Sequence, residues 1–423
     1  MPRDESVGLA RSIDRARKTP GAGLTDTRTD IDMVRLRAYR LGRVREQLRN
    51  LDYAGALLFD PINIRYATGS RNMTVWTLHN AARYCFIPTE GPIILFDFHG
   101  CDHLSDGLET IAEVRPTQPW YYFAAGPRVD ERAKLWAAEI ADLVTAHGGG
   151  NRRLALDHCD PEGTAALAAL GIEVKNGQAP LERARAIKSA DEIACMNVAI
   201  SVCETGMARM RQALEPGLTE NQLWAILHAT NIAMDGEWIE TRLLTSGGRT
   251  NPWFQESSDR VIRAGELVSF DTDLIGPFGY CADISRSYFC GPGRPSDDQR
   301  RLYGLAYEQV HANMALLKPG VSFREYADKA WRIPDVYWAR RYSATVHGVG
   351  MADEYPVIPH FDAFTDGLAY DGVLEAGMTV CVESYIGADT GNEGVKLEQQ
   401  VLITETGVEL LSTFPFEETL LSG

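Results

Sequence analysis

One stretch, Leu267–Phe289, narrows the folds open to this chain: Leu-Val-Ser-Phe-Asp-Thr-Asp-Leu-Ile-Gly-Pro-Phe-Gly-Tyr-Cys-Ala-Asp-Ile-Ser-Arg-Ser-Tyr-Phe. It reads as two strands joined by a turn at Gly276-Pro277-Phe278-Gly279. Alternate side chains of a strand share a face, so Asp271 and Asp273 are expected to point the same way. The return strand brings Asp283 beside them. Three carboxylates so placed, between the apolar Val268, Phe270 and Ile284, repel one another unless a cation neutralises them. A divalent metal is the natural cation. The bland reading is a hydrophilic hairpin with solvated acids.

Later segments weigh against the bland reading. Thr345-Val-His-Gly-Val-Gly350 sets His347 among glycines, where a ligand can approach closely. Thr379-Val-Cys-Val-Glu383 is an apolar strand ending in Glu383, and Val395–Ile403 is another with Glu398 at its centre. A charge inside an apolar strand is costly unless it is paired or metal-bound. Asp271, Asp273, Asp283, His347, Glu383 and Glu398 therefore form a candidate six-residue set. One imidazole among several carboxylates suits a pair of Mn, Fe, Co or Zn ions, bridged about 3.5–4 Å apart.

The chain is 423 residues long, enough for two or more cores. Its net charge of -16 argues against nucleic acid or an anionic membrane as partner. No apolar run is long enough to span a bilayer, and Met1-Pro-Arg-Asp-Glu-Ser lacks the apolar core of a secretory signal. The eight cysteines are scattered, which fits reduced thiols in a cytoplasm.

In chain order, residues 1–30 read as a polar arm. Asp32–Asn50 has helical apolar spacing. Short apolar runs at 54–59, 82–87, 92–96, 154–157 and 172–175 alternate with helices such as 131–147, giving an α/β domain over residues 31–182. Residues 183–423 form the second domain, with a helix starting at Ser189, another after Thr219, and a strand-like run Trp238–Leu244. Two aromatic loops, at Trp76 and at Trp120-Tyr121, are core or interface packing on the bland view.

The motifs together resemble the pita-bread metallopeptidase superfamily of aminopeptidase P, prolidase, creatinase and methionine aminopeptidase. The resemblance runs from about residue 33 to the end. Arg185-Ala-Ile-Lys-Ser-Ala-Asp-Glu192 is similar to that family's interdomain link, Gly279–Arg286 to its second-aspartate motif, and His347-Gly-Val-Gly350 to its metal histidine. The resemblance implies an α+β fold: a creatinase-like α/β domain, then a pita-bread domain with a curved antiparallel sheet and flanking helices. It also implies Asp271, Asp283, His347, Glu383 and Glu398 as ligands of two divalent ions, iron first, with manganese or zinc behind it.

The departures point to one branch. Asp273 stands where the peptidases have glycine, and the turn between Asp271 and Asp283 is a residue longer. Neither Met351–Tyr355 nor Gly247–Trp253 carries the histidines the peptidases use on a peptide. Glu-Pro-Gly becomes Glu383-Ser-Tyr385. These changes, with Tyr342 and Asp353 around His347, resemble the branch that cleaves dimethylsulfoniopropionate, known from marine bacteria. By that resemblance Asp353 is the general base, Tyr342 a second site residue, and a homodimer is expected. A sulfonium cation needs an aromatic or acidic cradle, for which Trp76, Trp120 and Tyr121 are candidates. The competing readings are an Xaa-Pro metallopeptidase and a non-catalytic pita-bread binding module.

Overall fold

The computed structural model describes residues 31–421, and the expected arm at 1–30 lies outside them. The described chain divides between Arg185 and Ala186. The break comes after Arg185 rather than after 182 because a helix runs through the link from Gln178 to Ala186. Inside the first domain Arg185 bonds Asn63 and Glu182.

The first domain is a six-stranded sheet with helices, as its alternating runs imply. Its strands are β1 (Gly55–Leu58), β2 (Tyr84–Pro88), β3 (Ile94–Asp97), β4 (Glu113–Pro116), β5 (Arg153–Leu156) and β6 (Glu173–Asn176), in the order β4-β3-β2-β1-β5-β6. The helix Met33–Asn50 is capped by Asp32, whose carboxylate accepts from the amides of Val34 and Arg35. Trp136, from the helix Val129–His147, packs with Phe59, Tyr84 and Trp120 at the core.

The second domain is α+β. The helix Ala190–Ala213 begins at a capping box of Ser189 and Glu192, and Glu220–Ala233 at one of Thr219 and Gln222. The Trp238–Leu244 run is two short strands rather than one: β7 (Trp238–Ile239) and β8 (Leu244–Ser246). The Leu267–Phe289 stretch also departs from a simple hairpin. It holds four short strands: β9 (Leu267–Phe270), β10 (Leu274–Ile275), β11 (Cys281–Ala282) and β12 (Arg286–Phe289). β9 pairs with β12 in one three-stranded sheet and β10 with β11 in another. Asp273 has φ +35, a left-handed conformation that interrupts the extended chain. The breaks free Asp271, Asp273 and Asp283 from the ladders, so their side chains can turn to one point.

The remaining sheet has five strands: β13 (Ala344–Val349), β14 (Asp353–Pro359), β15 (Thr379–Gly387), β16 (Gly394–Ile403) and β17 (Val408–Leu410), in the order β14-β13-β15-β16-β17. β16 joins the sheets, since the Glu398 amide donates to the Ser285 carbonyl and the Lys396 amide to the Ser287 hydroxyl. The helix Asp297–Met314 covers this sheet with an apolar cluster that includes Tyr303, Val310, Val382 and Val401.

Candidate metal centre

Glu383 and Glu398 face one another across β15 and β16, in register. Like charges directly opposite on a sheet destabilise it. Both side chains are buried, as are Asp271, Asp273, Asp283 and His347. The structure thus brings all six expected residues together. Asp271, Asp273 and Asp283 lie within ligand distance of one another, as do Asp271, Glu383 and Glu398, and as do Asp283, His347, Cys381 and Glu398.

A bulge between His347 and Gly348 aims the imidazole into the cage. Its Nδ1–H donates to the Gly348 carbonyl at 3.1 Å. Nε2 lies 3.3 Å from Glu383 Oε1, 3.5 Å from Asp283 Oδ2 and 3.6 Å from Glu398 Oε1, and as a metal ligand it would turn its lone pair toward them. Three carboxylate oxygens gathered around one ring nitrogen need positive charge among them. Asp283 Oδ1 and Glu398 Oε1 are buried without a hydrogen-bond partner among the described residues. Burial, and next the Glu398 charge, push Glu383 up to about 8 and Asp283 well above the carboxylate range. The donor set fits a pair of divalent ions.

Sequence reasoning passed over a buried cation here. Lys396 is fully buried, with Nζ 2.6 Å from Glu383 Oε2, 3.0 Å from Asp271 Oδ2 and 3.6 Å from Glu398 Oε2. Nζ also donates to Ser285 Oγ at 2.6 Å, and that hydroxyl reaches Asp271 at 2.6 Å and Glu398 at 2.8 Å. The signal was present: Lys396 is two residues before Glu398 on an apolar strand, so the two share a face. Cys381 was missed as well, and its thiol donates to the Asp283 carbonyl at 3.6 Å.

The two expected reaction residues flank the cage. Asp353 opens β14, half-exposed, with Oδ1 3.8 Å from His347 Nδ1. Burial of its inner flank holds it above the usual carboxylate range, while His347 opposes the shift. The Tyr342 ring lies over Lys396 Nζ at 4.6 Å and stacks on Phe254 at 5.3 Å. Burial, then Glu383, push its hydroxyl far above the ordinary phenol range. His360, the next histidine after His347, donates to the Tyr342 carbonyl and packs edge-on against Trp338. It is therefore tied to the backbone.

The first-domain aromatics divide. Trp120 is a correction to the expected cradle. It is 1% exposed and packs between Trp136 and Phe59, so it belongs to the core. Trp76 and Tyr121 are partly exposed, Trp76 against Phe98 and Tyr121 against Phe123. No helix among the described residues is long and apolar enough to cross a membrane.

Comparison with known proteins gives this geometry a family. Residues 194–405 match the model of metallopeptidase family M24, and residues 40–187 that of the creatinase/prolidase N-terminal domain. The dimethylsulfoniopropionate lyase DddP of Roseovarius nubinhibens is 44% identical over 395 residues, 92% of this chain and 88% of that protein. The protein of the same name from Roseobacter denitrificans is 41% identical over the same shares. Among solved structures, an Xaa-Pro dipeptidase from Bacillus anthracis aligns with a TM-score of 0.73 at 22% identity, covering 90% of this chain and 99% of its own. A prolidase from Pyrococcus horikoshii aligns at 0.69 and 20%, covering 89% and 99%. These two likenesses speak for the fold.

Proposed function

The chain belongs to metallopeptidase family M24 and to the branch of it that includes the lyases DddP, and we propose that it cleaves dimethylsulfoniopropionate to dimethyl sulfide and acrylate. The observation that carries the reading is a carboxylate–histidine cage beside Asp353, with the next histidine along the chain, His360, held by a backbone carbonyl.

The substrate is a zwitterion with a carboxylate at one end and a sulfonium at the other. Elimination removes a proton from the carbon next to the carboxylate and expels neutral dimethyl sulfide. Asp271, Asp273, Asp283, His347, Glu383 and Glu398 would hold two divalent ions, iron by preference and manganese or zinc as alternatives. When bound, the ions supply Lewis-acid stabilisation for charge developing on the substrate carboxylate. Asp353 takes the proton at a carboxylate oxygen, and its position at the open edge of the cage lets substrate reach it. Tyr342 stays a neutral phenol and helps to position the substrate. Lys396 keeps the inner oxygens of Asp271 and Glu383 turned away from the reacting side. The working unit is a homodimer, which light scattering on the purified protein would test.

The experiment is headspace gas chromatography on metal-loaded protein given dimethylsulfoniopropionate, beside Asp353→Ala. Removing the base should lower the rate by about a hundredfold or more. Equal gas from both proteins would remove Asp353 from its role. No gas from the loaded wild type would sink the lyase, and Xaa-Pro peptides would then be the substrates to try.

A further inference from the structure

Phe254 is an aromatic in an unfavourable place. It is 59% exposed and its φ is +68, a left-handed conformation that a bulky side chain rarely adopts. Burial does not offset that strain. The preceding Trp253 takes the buried position instead, with its ring 6.0 Å from Tyr385. Strained residues of this kind persist where the surroundings hold them, and they cluster at ligand sites. What holds Phe254 is the site itself: it stacks on Tyr342, with centroids 5.3 Å apart and planes 29° from parallel.

Tyr342 is not free to receive a second cation on equal terms. Its ring already lies over the Lys396 ammonium at 4.6 Å. A substrate whose carboxylate is drawn to the cage still has a sulfonium to place, and a soft cation with methyl groups binds best against the face of an aromatic ring. Phe254 offers such a face next to Tyr342.

We propose that Phe254 is the aromatic wall that receives the sulfonium methyls, and so sets the preference for a cationic tail. This rests on the lyase reading. The left-handed turn at Phe254 is what swings its ring over Tyr342 while Trp253 stays in the core.

The test uses metal-loaded protein and two probes that do not release dimethyl sulfide. One is trimethylammonio-propionate, and the other its neutral-tailed isostere with carbon in place of nitrogen. Calorimetry gives the ratio of their affinities. In Phe254→Leu, which keeps an apolar side chain and removes the π face, the ratio should fall about tenfold. It should recover in Phe254→Tyr. An unfolding midpoint no lower in Phe254→Asn, which tolerates the left-handed backbone, would separate recognition from a structural role. An unchanged ratio in Phe254→Leu, or no cationic preference in the wild type, would overturn the proposal. Dimethyl sulfide release by the wild type is measured alongside, so that failure of the lyase reading shows separately.

Discussion

His360 is a buried imidazole held neutral by its surroundings. Burial first, then Arg341, lower it from the ordinary 6.5 to about 4. As pH falls, the unfolded chain takes up this proton before the folded one does. The contribution is therefore fully present above about 6.5 and is lost progressively as pH drops toward about 4, by at most ~3 kcal/mol. His360→Gln keeps a donor for the Tyr342 carbonyl and removes the titration. Urea midpoints measured from pH 7 to 4 should decline less steeply in the variant, and parallel curves would refute the assignment. Legibility at this scale was uneven. The acidic ligands and His347 could be read because charge in an apolar run is conspicuous. Lys396 satisfies the same rule, yet a lysine suggests solvent until its partners are known. Phe254 could not be read at all, because nothing in Pro-Trp-Phe-Gln says which aromatic turns outward.

Lys188, just before the helix Ala190–Ala213, forms an ion pair with Glu354 of β14, and both side chains are almost fully buried. Gly350 leaves room for the Glu354 carboxylate, which a Cβ at that position would strike. The pair fixes the start of β14, where Asp353 sits. Removing the cation with Lys188→Met leaves the Glu354 charge buried without it and should cost about 3–5 kcal/mol. The double change Lys188→Met with Glu354→Met should recover most of that loss in urea titrations. A double variant as unstable as the single one would contradict this account. The strands β1–β3, β5, β6, β15 and β16 were marked in the sequence as short apolar runs, whereas β4, β13, β14 and β17 were not. The breaks within Leu267–Phe289 were not, because they answer to a site assembled from β13, β15 and β16, far along the chain.

Every expected metal ligand lies in the domain from Ala186 onward, while the first domain holds its own apolar cluster around Trp136. Metal binding should therefore stabilise one domain and leave the other unchanged. Free metal at about a hundredfold above its dissociation constant adds ~2.7 kcal/mol to a state that alone binds it. Hydrogen exchange on chelator-treated and reloaded protein should slow in β9, β12, β13, β15 and β16 and stay unaltered in β1–β6. Protection spread evenly over both domains would refute this.

Lys396 gives the cage a permanent resident. Five acids gathered in one interior would otherwise press apart whenever the ions left, and the domain would have to be built around its metals, as small zinc modules are. With an ammonium already paired with three of those acids, the closed sheet can exist first and be loaded afterwards. The protein then behaves as a vessel whose lining is in place before it is filled.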